Sequence, residues 1–176
     1  MPEGAMLRVL LLIALGSAAF APAAARNLLE GAERDELHWV EEDDAAMNAA
    51  VARARASLPG FLEKAAYPRI NQRQFALKVR VLLGDGRSEY LWVRQFANQD
   101  DNFIGIVSNI PRMVPGLKED GILVFNREDI SDWMYLEGGR MIGNFTMCAM
   151  LTSSPQERGG FEAKYGLDCT NGGAER

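Results

Sequence analysis

Asp129-Ile130-Ser131-Asp132-Trp133-Met134-Tyr135-Leu136-Glu137-Gly138-Gly139-Arg140-Met141-Ile142-Gly143-Asn144-Phe145-Thr146 decides the fold. Two β-prone runs flank Gly138-Gly139, a pair that supplies the positive φ angles of a tight hairpin turn. A two-residue turn sets Glu137 opposite Arg140, Leu136 opposite Met141, Tyr135 opposite Ile142 and Met134 opposite Gly143. Alternation then yields two faces. Met134, Leu136, Met141 and Phe145 form the expected core face. Trp133, Tyr135, Ile142 and Asn144 form the other, which is either covered by a helix or partly open.

Upstream, Gln74–Leu83 alternates Phe75, Leu77, Val79, Val81 and Leu83 with Gln74, Ala76, Lys78, Arg80 and Leu82, the pattern of a half-buried strand. Gly84-Asp85-Gly86 turns it back on itself. With Asp85-Gly86 as the turn, Val81 pairs with Tyr90, Val79 with Trp92 and Phe75 with Phe96. That register makes Trp92 a core residue and brings Lys78 and Arg80 near Glu89. Further strands are expected at 103–107, where Gly105 marks a bulge or close contact, and at 121–125. Before the first strand, Met47, Ala50, Val51, Ala54 and Leu58 recur at helical spacing behind a cap at Asp43 or Asp44. Pro59-Gly60 is expected to break or kink this helix, with Phe61, Leu62 and Ala65 forming one more apolar turn before Tyr67-Pro68 ends it. After the hairpin, Met147, Met150 and Leu151 predict a short helix with Thr146 as a possible cap. Ser154-Pro155 opens another, which Gly159-Gly160 should weaken. The expected class is α+β: an N-terminal helix on a curled antiparallel sheet of five or six strands, closed by a short C-terminal helix.

The chain has 176 residues, 48% of them hydrophobic, enough for one domain with its own core. Its net charge of −5 argues against nucleic acid and anionic membrane surfaces as partners. Arg8, the apolar run Val9–Leu15 and the small residues to Ala25 form the pattern of a secretory signal peptide with an A-x-A cleavage site. Met6 is an alternative start. An uncleaved anchor is the competing reading, but the segment is rich in Ala and interrupted by Pro22, whereas a spanning helix needs roughly 20 strongly apolar residues. Cleavage removes Glu3 and Arg8 together and so leaves the charge at −5. No cysteine lies near the site to carry a lipid anchor. The expected division is a signal peptide over 1–25, an exposed lead-in over 26–42, an α+β domain over 43–152 and a C-terminal extension over 153–176.

This reading makes the protein periplasmic or secreted, and in such a compartment Cys148 and Cys169 are expected to form a disulfide. Closing that loop stabilises by roughly 3 kcal/mol in the chain-entropy model. There is no C-x-x-C motif for redox chemistry.

Trp92, Phe103-x-Gly105, the Pro111–Leu117 loop and above all Ile130-Ser131-Asp132-Trp133-Met134-Tyr135 followed by Gly143-Asn144-Phe145-Thr146 resemble the YegJ-like bacterial family, a domain of unknown function. The resemblance runs from about Asp44 to Leu151. It implies a small α+β domain and brings no catalytic residues with it.

Chemistry-bearing residues are few. His38 is the single histidine and sits in the lead-in, so a triad or a typical zinc site has no basis. The polar turn Asn98–Asn102 lacks the spacing of an EF-hand loop. No phosphate-binding glycine motif occurs, and no cofactor or metal is expected. Asp129 and Asp132, with Asn144 and Thr146 across the hairpin, are the candidates for hydrolytic or metal-dependent work. The competing structural reading has Asp129 or Asp132 cap the turn entering the strand, and Asn144 and Thr146 satisfy backbone groups at the hairpin base. Trp133, Tyr135, Asn144 and Asp132 are the candidate binding residues of a periplasmic interaction module, whose partner is a protein or a small ligand. A structural envelope protein without a ligand is the third reading.

Overall fold

The computed structural model describes residues 44–99, 102–152, 154–167 and 169. Residues 1–25, expected to be a signal peptide, the expected lead-in with His38, Asp43, the acids Asp100 and Asp101 of the polar turn, and the residues after Cys169 lie outside them.

Helix α1 (Ala45–Ala66) opens on Asp44, whose Oδ1 accepts from Met47 N at 2.8 Å. It buries Met47, Ala50, Ala54, Leu58 and Phe61 on one stripe. The helix continues unbroken through Pro59 and ends at Tyr67, where the sequence placed its end. Pro59 points to solvent, while Leu58 and Phe61 are buried on either side of it. Packing of that stripe outweighs the roughly 3 kcal/mol that an interior proline costs.

Six strands follow: β1 (Gln72–Leu82), β2 (Ser88–Gln99), β3 (Asn102–Val107), β4 (Ile122–Asn126), β5 (Ile130–Glu137) and β6 (Arg140–Gly143). They form one antiparallel sheet in the order β4-β3-β2-β1-β5-β6. A 3₁₀ turn at Arg127–Asp129 leads into β5. Helices α2 (Phe145–Thr152) and α3 (Pro155–Tyr165) close the chain. The α+β class and the six-stranded sheet match the expectation from sequence.

The β5–β6 register is the expected one, with Glu137 opposite Arg140 and Tyr135 opposite Ile142. Its faces are the reverse of those expected. Trp133, Tyr135 and Ile142 lie in the main core with Ala54, Leu58, Phe61, Leu77 and Val93, whereas Met134, Leu136 and Met141 are half-buried. Phe145 joins the Trp133 side, because the chain leaves the strand after Gly143.

The first hairpin is shifted by one residue. Leu83 N donates to Arg87 O and Gly86 N to Leu83 O, so the loop is three residues long. Val79 therefore pairs with Leu91 and Lys78 with Trp92. A one-residue shift exchanges the two faces of a strand. Trp92 thus leaves the core for the opposite face, and Glu89 turns inward beside Val81. Glu89 is fully buried and satisfied by the Pro111–Leu117 loop: its carboxylate accepts from the backbone N–H groups of Arg112, Met113 and Val114. Phe75 and Phe96 still share the core face, since bulges in both strands restore it. Gly105 marks a close contact, because a Cβ there would overlap the Val93 side chain.

Cys148 and Cys169 form the expected disulfide, with Cα atoms 5.3 Å apart. It joins a second, smaller cluster of Leu151, Phe161 and Leu167. Helix α3 runs through Gly159-Gly160 and ends at Gly166 in the left-handed conformation. Among the described residues no helix is long and apolar enough to cross a membrane.

Candidate functional site

The two acids of the hairpin have separate tasks. Asp129 Oδ2 accepts from Asn126 N at 2.9 Å and from Asn126 Nδ2 at 3.2 Å, which fixes the turn into β5. Asp132 is fully buried and caps a helix that begins a dozen residues downstream. Its carboxylate accepts from Phe145 N (3.2 Å), Thr146 N (2.8 Å), Thr146 Oγ1 (2.7 Å) and Trp133 N (2.8 Å). Two of those donors are unpaired N–H groups at the start of α2, where the helix dipole also favours a negative charge. Thr146 is consequently the second residue of α2 rather than its cap; Asn144 precedes the helix at φ 54°. Asn144 N donates to Trp133 O at 2.8 Å, and its side chain turns to Met141 Sδ.

Lys78 completes this buried cluster. Its Nζ donates to Thr146 Oγ1 at 3.1 Å and lies 5.6 Å from the Trp92 ring centroid and 5.9 Å from that of Tyr90. Thr146 Oγ1 therefore receives from Lys78 and donates to Asp132. Burial lowers the Lys78 pKa, and the nearby Asp132 charge partly opposes this. Burial raises that of Asp132, opposed by Lys78 and by the hydrogen bonds from Thr146 and Trp133. The arrangement orients a helix and holds two charges together. The Thr146 hydroxyl is engaged on both sides, by Asp132 and by Lys78. Among the described residues no group of three or more His, Cys, Asp or Glu side chains is placed to hold a metal.

Of the four candidate binding residues, all are buried. Trp133 lies beneath α1, where its Nε1 donates to Ala54 O at 2.9 Å and its ring stacks on Phe61 at 4.9 Å. Tyr135 stacks on Phe75 at 4.9 Å. Neither ring is offered to a partner at the surface.

A concave site does exist at the other end of these rings. Between the last turns of α1 and strands β1–β3 lies a cleft of about 340 Å³, walled by Leu62, Ala65, Phe75, Phe96 and Phe103, with Gln95 and Asn98 among its polar residues. Phe75 backs onto Tyr135, and Phe96 lies 5.8 Å from Phe61, which stacks on Trp133. The cleft opens where β1 and β2 both lose their regular register, between Arg73 and Ala76 and between Arg94 and Ala97. At those bulges Gln74 has φ 56° and Gln95 φ 48°. Sequence reading assigned Phe75 and Phe96 to the core and did not find the cleft, since bulges leave no mark on the hydrophobic alternation.

The family model described as an uncharacterized protein conserved in bacteria (DUF2314) matches residues 44–169. The chain belongs to the DUF2314 family. The match takes in α3 and Cys169, beyond the Leu151 limit of the resemblance seen in sequence. The DUF2314 chain is similar to uncharacterized protein YegJ of Escherichia coli (strain K12), 31% identical over 118 residues, covering 65% of this chain and 73% of the relative. It is also similar to a putative ankyrin repeat protein of Neisseria meningitidis serogroup B, 26% identical over 140 residues. That alignment covers 75% of this chain and 55% of the Neisseria protein, so the chain spans about half of that relative's length. No solved structure matches the chain.

Proposed function

We propose that this DUF2314 protein is a secreted, periplasmic binding module, and that the cleft beside α1 takes a small apolar or aromatic molecule. The double bulge carries this reading. Two adjacent strands hold non-glycine residues at positive φ beside the same cavity, a conformation that costs about 1–3 kcal/mol per residue and concentrates at binding sites. The volume is at the lower end of the range for small-molecule sites, and apolar walls with a few amides suit such a ligand. Trp133 and Tyr135 then serve the site from behind, by fixing Phe61 and Phe75. Secretion is supported by the Arg8–Ala25 segment and by the disulfide, which persists in oxidising compartments.

Titration with the apolar fluorophore 1-anilinonaphthalene-8-sulfonate tests the site. Ala65→Trp should fill the cleft and abolish saturable binding while α1 and the sheet keep their circular dichroism. Undiminished binding to a folded Ala65→Trp variant would place the ligand elsewhere. Appearance of the mature protein in the periplasmic fraction, cleaved after Ala25, tests the location separately.

A further inference from the structure

The two edges of the sheet are treated differently. Edge strand β6 is covered by the chain itself: Leu167 bridges to Met141, and Met141 N donates to Gly166 O at 2.9 Å. Edge strand β4 has no such cover among the described residues. Its sequence, Ile122-Leu123-Val124-Phe125-Asn126, contains no charge and no proline, the usual devices that keep an edge from pairing. Ile122 is 68% exposed and Val124 60% exposed.

The backbone is also available. Val107 N donates to Gly121 O, so the Gly121 carbonyl is directed towards β3, while Gly121 N closes a turn onto Lys118 O. Backbone polar groups alternate along a strand, which turns those of Leu123 and Phe125 inward and those of Ile122 and Val124 outward.

We propose that β4 pairs antiparallel with β4 of a second copy of this chain, across a two-fold axis at Leu123. In that register Ile122 of each copy exchanges both hydrogen bonds with Val124 of the other, so every outward group of the two apolar residues is satisfied. The two exposed side chains on one face meet their counterparts. The flanks carry charge of both signs: exposed Lys118 and Glu119 precede β4 and exposed Arg127 and Glu128 follow it, and antiparallel pairing brings the leading end of one copy to the trailing end of the other. The strand is thus complementary to itself in the one register that its free backbone groups favour. The result is a continuous sheet across both copies, of the isologous kind that closes on itself.

Sedimentation velocity on the purified protein, from micromolar to millimolar concentration, tests this. The wild type should form a dimer. Val124→Pro removes an outward N–H without touching the β3 ladder, and Val124→Lys places charge at the seam. Each should raise the dimer Kd by about tenfold or more while near-ultraviolet circular dichroism stays unchanged. In a mixture of isotopically heavy and light copies, carbodiimide should join Lys118 of one copy to Glu128 of the other. A wild type that remains monomeric at millimolar concentration overturns the proposal. So does a dimer that survives both variants.

Discussion

At the scale of single residues, the hairpin motif Ile130–Thr146 is an attachment device. Gly143 sits at φ 87° with the Trp133 ring against it, and a Cβ there would collide with the Trp133 carbonyl and lie 2.6 Å from Cε3. Gly143→Ala should therefore destabilise by about 3 kcal/mol or more, read as a lowered urea midpoint; a change within error would mean that the ring moves freely. Asp132 carries a pH signature. Burial raises its folded pKa above the unfolded value near 4. Between those two pKa values the folded state holds a proton that the unfolded state has lost, so stability falls as pH rises through the window. The advantage of wild type over Asp132→Asn should accordingly be largest below about pH 4 and shrink on the way to neutrality. Denaturant midpoints of both proteins across that range check it, and an advantage that grows with pH would show that the hydrogen-bond donors outweigh burial. Visible in sequence was a cap by Asp129 or Asp132 for the turn entering β5, which Asp129 supplies; the capping of α2 by Asp132 was not visible. Nor was its partner Lys78, because the β1–β5 pairing that joins them spans more than fifty residues.

At the scale of elements, α1 is held to β5 by directional contacts as well as by packing. Trp133 Nε1 bonds Ala54 O, Arg55 Nε bonds Ile130 O at 2.9 Å, and Arg55 Nη2 bonds Glu128 O at 2.7 Å. Trp133→Phe keeps most of the ring and loses one hydrogen bond, for a cost of about 1 kcal/mol. Trp133→Ala removes the ring from the Phe61 stack and should cost about 3–5 kcal/mol. Thermal melts of the pair separate the two contributions; near-equal losses would assign the anchoring to the hydrogen bond alone. Elements were legible where local rules govern. The Gly138-Gly139 turn fixed the β5–β6 register, and the spacing Met47–Leu58 placed α1. Legibility failed at Gly84-Asp85-Gly86, where the loop accepts either two or three residues and the choice moves Trp92 across the sheet. At Pro59 and at Gly159-Gly160 the helices run on, because tertiary burial of Phe61 and Phe161 outweighs local propensity.

At the scale of the molecule, the chain carries two cores of unequal independence. The larger joins α1 to the sheet; the smaller gathers Cys148, Leu151, Phe161 and Leu167 around the disulfide. Helix α3 buries Phe161 alone, so its attachment depends on the covalent link and on the Leu167–Met141 bridge. Reduction, or Cys169→Ala, restores loop entropy to the unfolded chain, a loss of roughly 3 kcal/mol. The loss should fall unevenly. Amide hydrogen exchange in α3 and at Leu167 should accelerate by orders of magnitude, while β1 and β5, both flanked by strands and covered by α1, stay protected. Uniform acceleration would show one cooperative unit instead of two. The local outcome has a consequence for the sheet: once Leu167 leaves, the β6 edge is uncovered. A reduced chain then leaves the β6 edge free to pair, and its solubility under reducing conditions should fall below that of the oxidised protein. Turbidity of matched samples with and without dithiothreitol measures this, and equal solubility would mean that Leu167 holds its place without the disulfide.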